Sequence, residues 1–147
     1  MGGLPVSSAP WIWSHKCNFG SSMVVAHTVM GEVLQQLAQR GWGERDLFAV
    51  EMALEEAFAN AVHHGNHDDP EKKISFSCQL SENLVRFQIE DEGEGFDPDF
   101  VPDPRDSDHL DQVSGRGVCL IFNFMSRVTY SECGKQVTLE KDRTREK

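Results

Sequence analysis

Between Leu47 and Ala61 the apolar residues Leu47, Val50, Leu54, Ala57, Phe58 and Ala61 recur at steps of three and four. That period belongs to an α-helix with a single apolar stripe. Such a helix is marginal alone and has to lay its stripe on a second layer. The residues that follow supply one. Gly65-Asn66 stops the helix, predicted over 44–64, and His67-Asp68-Asp69-Pro70 reads as a turn. Two strands come next, about 74–80 and 84–91, joined as a hairpin by Ser81-Glu82-Asn83.

The remainder extends the same plan. Residues 1–10 read as a flexible leader of small residues, and Trp11, Ile12, Trp13 and Phe19 suggest a first strand with imperfect alternation. Ser21 or Ser22 can cap a first helix whose stripe is Met23, Ala26, Met30, Val33, Leu34 and Leu37, and which Gly41 and Gly43 end. From Glu92 to Ser114 glycine, proline and aspartate dominate and no apolar period is sustained. A connection this long inside a small domain is usually functional or disordered. A helix resumes over about 117–124, and strands at about 127–131 and 136–141 close the chain. The expected fold is a two-layer α/β (α+β) sandwich with helices on one face of a mixed, mostly antiparallel sheet. Residues 11–147 form a single domain on this reading.

Composition narrows the function. The chain has 147 residues and a formal net charge of -10, a field that repels a phosphate backbone, so direct nucleic-acid binding is not expected. Cys17, Cys78, Cys119 and Cys133 are scattered without a C-x-x-C pair and read as reduced, packed thiols. No signal peptide is visible and no run approaches the ~18 apolar residues of a membrane span, which points to a cytoplasmic protein without a membrane partner.

Three groups could carry chemistry. Glu56 and Asn60 sit one helical turn apart beside Ala49, Met52, Ala53 and Ala59, away from Glu51 and Glu55 on the solvent flank. Taken alone they are equally a surface pair. As a site, the asparagine oxygen is a neutral hard ligand suited to Mg²⁺, and the carboxylate can accept a hydroxyl proton. The second group, Asp91-Glu92-Gly93-Glu94-Gly95-Phe96, stands at a strand end. Its aspartate can accept a hydrogen bond from an adenine amino group, and its glycines admit a close backbone approach. It is also readable as an acidic turn. The third is Gly115-Arg116-Gly117, where two glycines hinge the long loop to a helix N-terminus that offers free N–H groups to phosphate. A flexible linker with a solvated arginine is the plain alternative. From Asp91 to Asp111 nine acids face Arg105 alone, so any grip on phosphate has to come from backbone amides, Mg²⁺ and Arg116, with Arg105 a weaker candidate. His63, His64 and His67 with Asp68 lack the H-E-x-x-H pattern of a metal site, and there is neither a Walker A sequence nor a nucleophile elbow.

The order and spacing of Glu-Ala-Phe-Ala-Asn-Ala-Val-His-His-Gly (56–65), Asp91-x-Gly-x-Gly95 and Gly115-Arg-Gly117 resemble the N, G1 and G2 boxes of the gyrase/histidine-kinase/MutL (GHKL) ATPase superfamily. The nearest likeness is to the bacterial anti-sigma factor serine/threonine kinases, over about 11–141, with the run 114–130 especially similar. The resemblance implies a Bergerat-type ATP-binding fold with a lid at about 92–116. It implies Glu56 as the catalytic base and Asn60 as the Mg²⁺ ligand. Asp91 would contact adenine, with Gly93 and Gly95 lining its pocket, and Gly115, Arg116 and Gly117 at the phosphates. His64, Phe96 and Thr138 complete the implied ATP-binding set. The implied partners are an anti-anti-sigma (STAS) protein carrying the acceptor hydroxyl and a sigma factor, with the kinase often a homodimer.

Two departures stand out. The family's Gly-Thr before the last strand is Gly134-Lys135-Gln136-Val137 here, with a hydroxyl returning at Thr138, and the acid usual after Phe-Met is Ser126. Besides a kinase that regulates a sigma factor, the sequence admits a non-catalytic, nucleotide-gated binding module. A histidine-kinase catalytic domain fits less well, since no helix pair presents a phospho-acceptor histidine.

Overall fold

The computed structural model describes residues 11–93, 121, 123–131 and 134–144. The leader at 1–10, most of the predicted lid, Cys119 and Cys133 lie outside the described residues. The elements are β1 (Trp13–Gly20), α1 (Met23–Gln39), α2 (Glu44–Ala59) with a π-helical turn (Asn60–Gly65), β2 (Lys73–Leu80), β3 (Leu84–Glu90), β4 (Arg127–Tyr130) and β5 (Gln136–Asp142). Of the helix expected over 117–124, residues 121, 123 and 124 are described and helical.

The five strands form one sheet in the order β1-β2-β3-β5-β4. All four pairings among the described strands are antiparallel, so the mostly antiparallel sheet is found without a parallel member among them. β5 lies between β3 and β4, so the chain leaves the sheet interior at Glu90 and re-enters at its edge at Arg127.

Strand alternation fixes the two faces. Ile74, Phe76, Cys78 and Leu80 of β2, Val85, Phe87 and Ile89 of β3, and Val137 and Leu139 of β5 are buried. They meet Val50, Leu54 and Phe58 of α2 and Ala26, Met30, Val33 and Leu37 of α1 in one core. Phe58 and Phe76 approach to 5.3 Å between ring centroids, and Phe76 and Phe87 to 6.2 Å. Each fully buried phenylalanine contributes about 2–3 kcal/mol of transfer free energy. The predicted stripes are therefore the buried ones, although Leu47 is half-buried at the margin and Phe48 is exposed. Ser22, of the two cap candidates, accepts from Val25 N at 3.3 Å and starts α1.

The end of α2 departs from expectation. An uninterrupted α-helix to residue 64 is predicted, but from Asn60 the turn widens to π geometry, and Asn66 N donates to Ala61 O, five residues back, at 2.8 Å. Single π turns cluster at functional sites. His67 and Asp68 then take positive φ (53° and 60°), a turn closed by His63 Nδ1 against Asp68 Oδ1 at 2.5 Å and by Asp68 N donating to Val62 O.

Candidate functional site

The π turn brings the end of the helical layer onto the end of β3, and the site candidates converge there. Asn60 is the first residue of the widened turn. Its side-chain oxygen is buried and has no hydrogen-bond partner among the described residues. A buried acceptor left without a donor costs about 1–3 kcal/mol, which a stable fold removes or uses. Such an oxygen suits a hard cation. Glu56, one turn earlier, is half-buried and makes no hydrogen bond or ion pair among the described residues. Its carboxylate lone pairs are free to accept a proton.

Asp91 follows the last residue of β3 and is tied into the sheet by its amide, which donates to Lys135 O at 3.1 Å. Its Oδ1 accepts from Gly93 N at 2.9 Å. Burial pushes the Asp91 carboxyl above its ordinary value, and Glu90 adds to that. The Gly93 amide and the charges of Lys135 and Lys72 oppose it. The carboxylate lies directly against Gly65 of the π turn, where an added Cβ would overlap it. Gly93 in turn meets Gly65 backbone to backbone, and an added Cβ there would overlap the Gly65 carbonyl oxygen. Two glycines and a carboxylate thus close the junction between helix and sheet, with the second carboxylate oxygen free of any hydrogen bond among the described residues. The orphaned Asn60 oxygen and this glycine-walled carboxylate fit a metal-bound purine nucleotide in donor type.

Other predicted positions fare differently. His64 is exposed on the π turn without a partner among the described residues, while its neighbour His63 is committed to Asp68. Gly95, Phe96, Gly115, Arg116 and Gly117 lie outside the described residues. Thr138 is a correction. It alternates with the buried Val137 and Leu139, so it faces away from the helices, and its hydroxyl accepts from Gln88 Nε2 at 3.5 Å. It cannot restore, on the Asp91 side, the hydroxyl missing at Lys135.

The sequence marks Asn66 only as a helix stop, yet it is fully buried, and its Oδ1 accepts from Glu92 N at 2.8 Å, beside Asp91. An asparagine after a glycine signals a helix end, and nothing in its local pattern signals burial. Asp46 is likewise buried, holding Thr144 through its amide at 2.8 Å and its hydroxyl at 2.7 Å.

Comparison with known proteins gives this geometry a context. A family model described as the histidine kinase-like ATPase domain matches residues 24–141. The anti-sigma F factor of Oceanobacillus iheyensis is 32% identical over 85 residues, covering 56% of this chain and 58% of that protein. That of Geobacillus stearothermophilus is 30% identical over 102 residues, covering 64% and 66%. That of Bacillus velezensis is 30% identical over 112 residues, covering 69% and 73%. The chain thus spans less than two thirds of the length of the first two relatives. Among solved structures, that of the RsbU and RsbW domains of Rv1364c from Mycobacterium tuberculosis superposes with a TM-score of 0.60 at 18% identity. It covers 89% of this chain and 32% of that one, a likeness of fold.

Proposed function

The chain belongs to the family of histidine kinase-like ATPase domains, and on that premise we propose that it is an ATP-dependent serine/threonine protein kinase acting as an anti-sigma regulator. Membership in an ATPase-domain family brings nucleotide binding with it. The observation that carries the finer reading is the pairing of a Glu56 carboxylate with a buried Asn60 oxygen one turn away, neither of them partnered among the described residues. The likeness to anti-sigma F factors supports the regulatory half.

In this reading Asp91 accepts a hydrogen bond from the exocyclic amino group of adenine through the oxygen that the Gly93 amide does not occupy. Gly93 and Gly65 let the π turn and the chain past β3 approach closely enough to hold that carboxylate in place. Asn60 holds Mg²⁺. When bound, the ion supplies neutralising charge to phosphates that an acidic chain would otherwise repel. Glu56 takes the proton of a serine or threonine hydroxyl on the partner, an anti-anti-sigma protein of the STAS type, as that oxygen bonds to the terminal phosphoryl group of ATP and the bond from that group to the β-phosphate oxygen breaks, with ADP leaving. Gly95, Phe96, Gly115, Arg116 and Gly117 belong to the base pocket, the phosphate contacts and the lid at 92–116, within a single domain over 11–147. Holding a sigma factor is the alternate state of the same molecule, with a homodimer in the bacterial cytoplasm as the working form. Among the described residues no helix is long and apolar enough to cross a membrane.

The test is transfer of the terminal phosphate of ATP, with Mg²⁺, to a STAS protein. Glu56→Gln should lower the rate by about 10²–10⁴ while leaving ATP affinity within a few-fold. Equal loss of both would overturn the base assignment. Nucleotide-dependent capture of a partner without phosphorylated product would make the chain a binding module instead.

A further inference from the structure

One side chain outside the predicted set holds both halves of the junction. Asn66 is fully buried at the end of the π turn. Its Nδ2 donates to Ser21 Oγ at 3.0 Å and to Lys73 O at 3.1 Å, and its Oδ1 accepts from Glu92 N at 2.8 Å. Its own amide donates to Ala61 O at 2.8 Å, and its carbonyl accepts from Asp69 N at 3.0 Å. The ring of bonds closes on itself. Ser21 Oγ donates to Lys72 O at 2.9 Å, and Lys73 N donates to Glu92 Oε1 at 2.9 Å. With both amide protons and the oxygen engaged, the Asn66 amide has one orientation compatible with its partners.

What it holds is specific. Glu92 stands between Asp91 and Gly93, the two residues that press against Gly65, and Asn66 is the residue after Gly65. The segment from which Asn66 emerges begins with Asn60.

We propose that Asn66 is a positioning residue for nucleotide recognition, locking the Asp91–Glu92–Gly93 segment to the π turn so that the Asn60 oxygen and the Asp91 carboxylate keep a fixed spatial relation. The proposal rests on the nucleotide reading above. A residue serving stability alone would lower melting temperature and affinity together. A positioning residue lowers affinity beyond what the lost stability accounts for.

The experiment compares the wild-type chain, Asn66→Asp and Val33→Ala, the last a buried α1 position remote from the network, used as a stability-matched control. Asn66→Asp keeps the shape but sets an acceptor against the Lys73 carbonyl. Two quantities are read: ATP affinity with Mg²⁺ by calorimetry, and hydrogen exchange of the Glu92 and Gly93 amides without nucleotide. Exchange at both amides should rise relative to Phe87 in mid-strand. Affinity should fall about tenfold further than in Val33→Ala at equal melting temperature. Affinity no lower than in the control, or unchanged exchange at Glu92, overturns the proposal and leaves the nucleotide reading standing. A wild-type chain that takes up no ATP overturns the nucleotide reading itself, and this proposal with it. Should Asn66→Asp fail to fold, Ser21→Ala removes one of its three side-chain partners and carries the same comparison at smaller amplitude.

Discussion

Burial holds the Asp91 carboxyl above its ordinary value of 3.8, with the Gly93 amide, Lys135 and Lys72 acting against the shift. The direction fixes the sign of its contribution to stability. A carboxylate whose folded pKa is raised costs stability at any pH above that folded value, and the cost is relieved as pH falls through it. At neutral pH the ionised Asp91 is therefore kept at the expense of the fold, as expected of a group retained for an external donor rather than for packing. Asp91→Asn keeps an oxygen for the Gly93 amide and removes the half-buried charge. Its melting temperature at pH 7 should equal or exceed that of the wild type, while ATP affinity falls about 10- to 100-fold. Thermal melts beside calorimetric titrations check both halves, and a variant that melts lower with unchanged affinity would show the carboxylate to be structural.

The glycine contact between the π turn and the chain past β3 belongs to the scale of elements, because it sets how closely a helix end can approach a sheet end. Gly65→Ala would drive a methyl group into the Asp91 carboxylate. We expect it to cost about 1–3 kcal/mol of stability and to lower ATP affinity in step with the displaced carboxylate, read from denaturant midpoints and titrations on the same variant. The elements themselves were largely legible. A stripe such as Val50, Leu54 and Phe58, or an alternation such as Ile74, Phe76, Cys78 and Leu80, records burial directly in the sequence, because burial selects apolar residues at the period of the backbone. The π turn left no such mark. Six residues are too few for a five-residue hydrogen-bond step to differ in apolar period from an α turn. Thr138 is the opposite case, since its position between Val137 and Leu139 already assigns it to the outer face. Asn66 was illegible in kind: its partners are Ser21, Lys73 and Glu92, and local sequence does not say which distant backbone groups a side chain will meet.

Across the whole molecule, the sheet face turned from the helices carries an ion-pair row that joins its last three strands. Arg86 Nε donates to Glu140 at 2.7 Å, Arg127 Nε donates to the other Glu140 oxygen at 2.6 Å, and Arg127 reaches Asp142 at 2.6 Å. Burial acts to raise Glu140, but Arg127 and Arg86 outweigh it and hold it below its ordinary 4.5. Hydrogen bonding to Arg127 holds Asp142 below 3.8. Lowered carboxylates contribute stability that is full above those ordinary values and is lost as pH falls through the lowered ones. Arg127→Ala should therefore cost about 1 kcal/mol at pH 7, modest because the arginine is half-exposed, and nearly nothing once both acids are protonated. Urea melts of both chains across pH 7 to 2 check the convergence. The strand order that creates this row also imposes a schedule on the newborn chain. β5 must slot between β3 and β4, pairing Glu90 with Gln136 and Leu84 with Asp142. During synthesis β1 to β3 can zip together early, but β4 has no neighbour in the sheet until β5 emerges. The carbonyl that receives the Asp91 amide, that of Lys135, arrives at the same late moment. Until then the Asp91 amide lacks its partner from the C-terminal hairpin, and only the bonds of Asn66 with Ser21, Lys73 and Glu92, all earlier in the chain, can hold the junction.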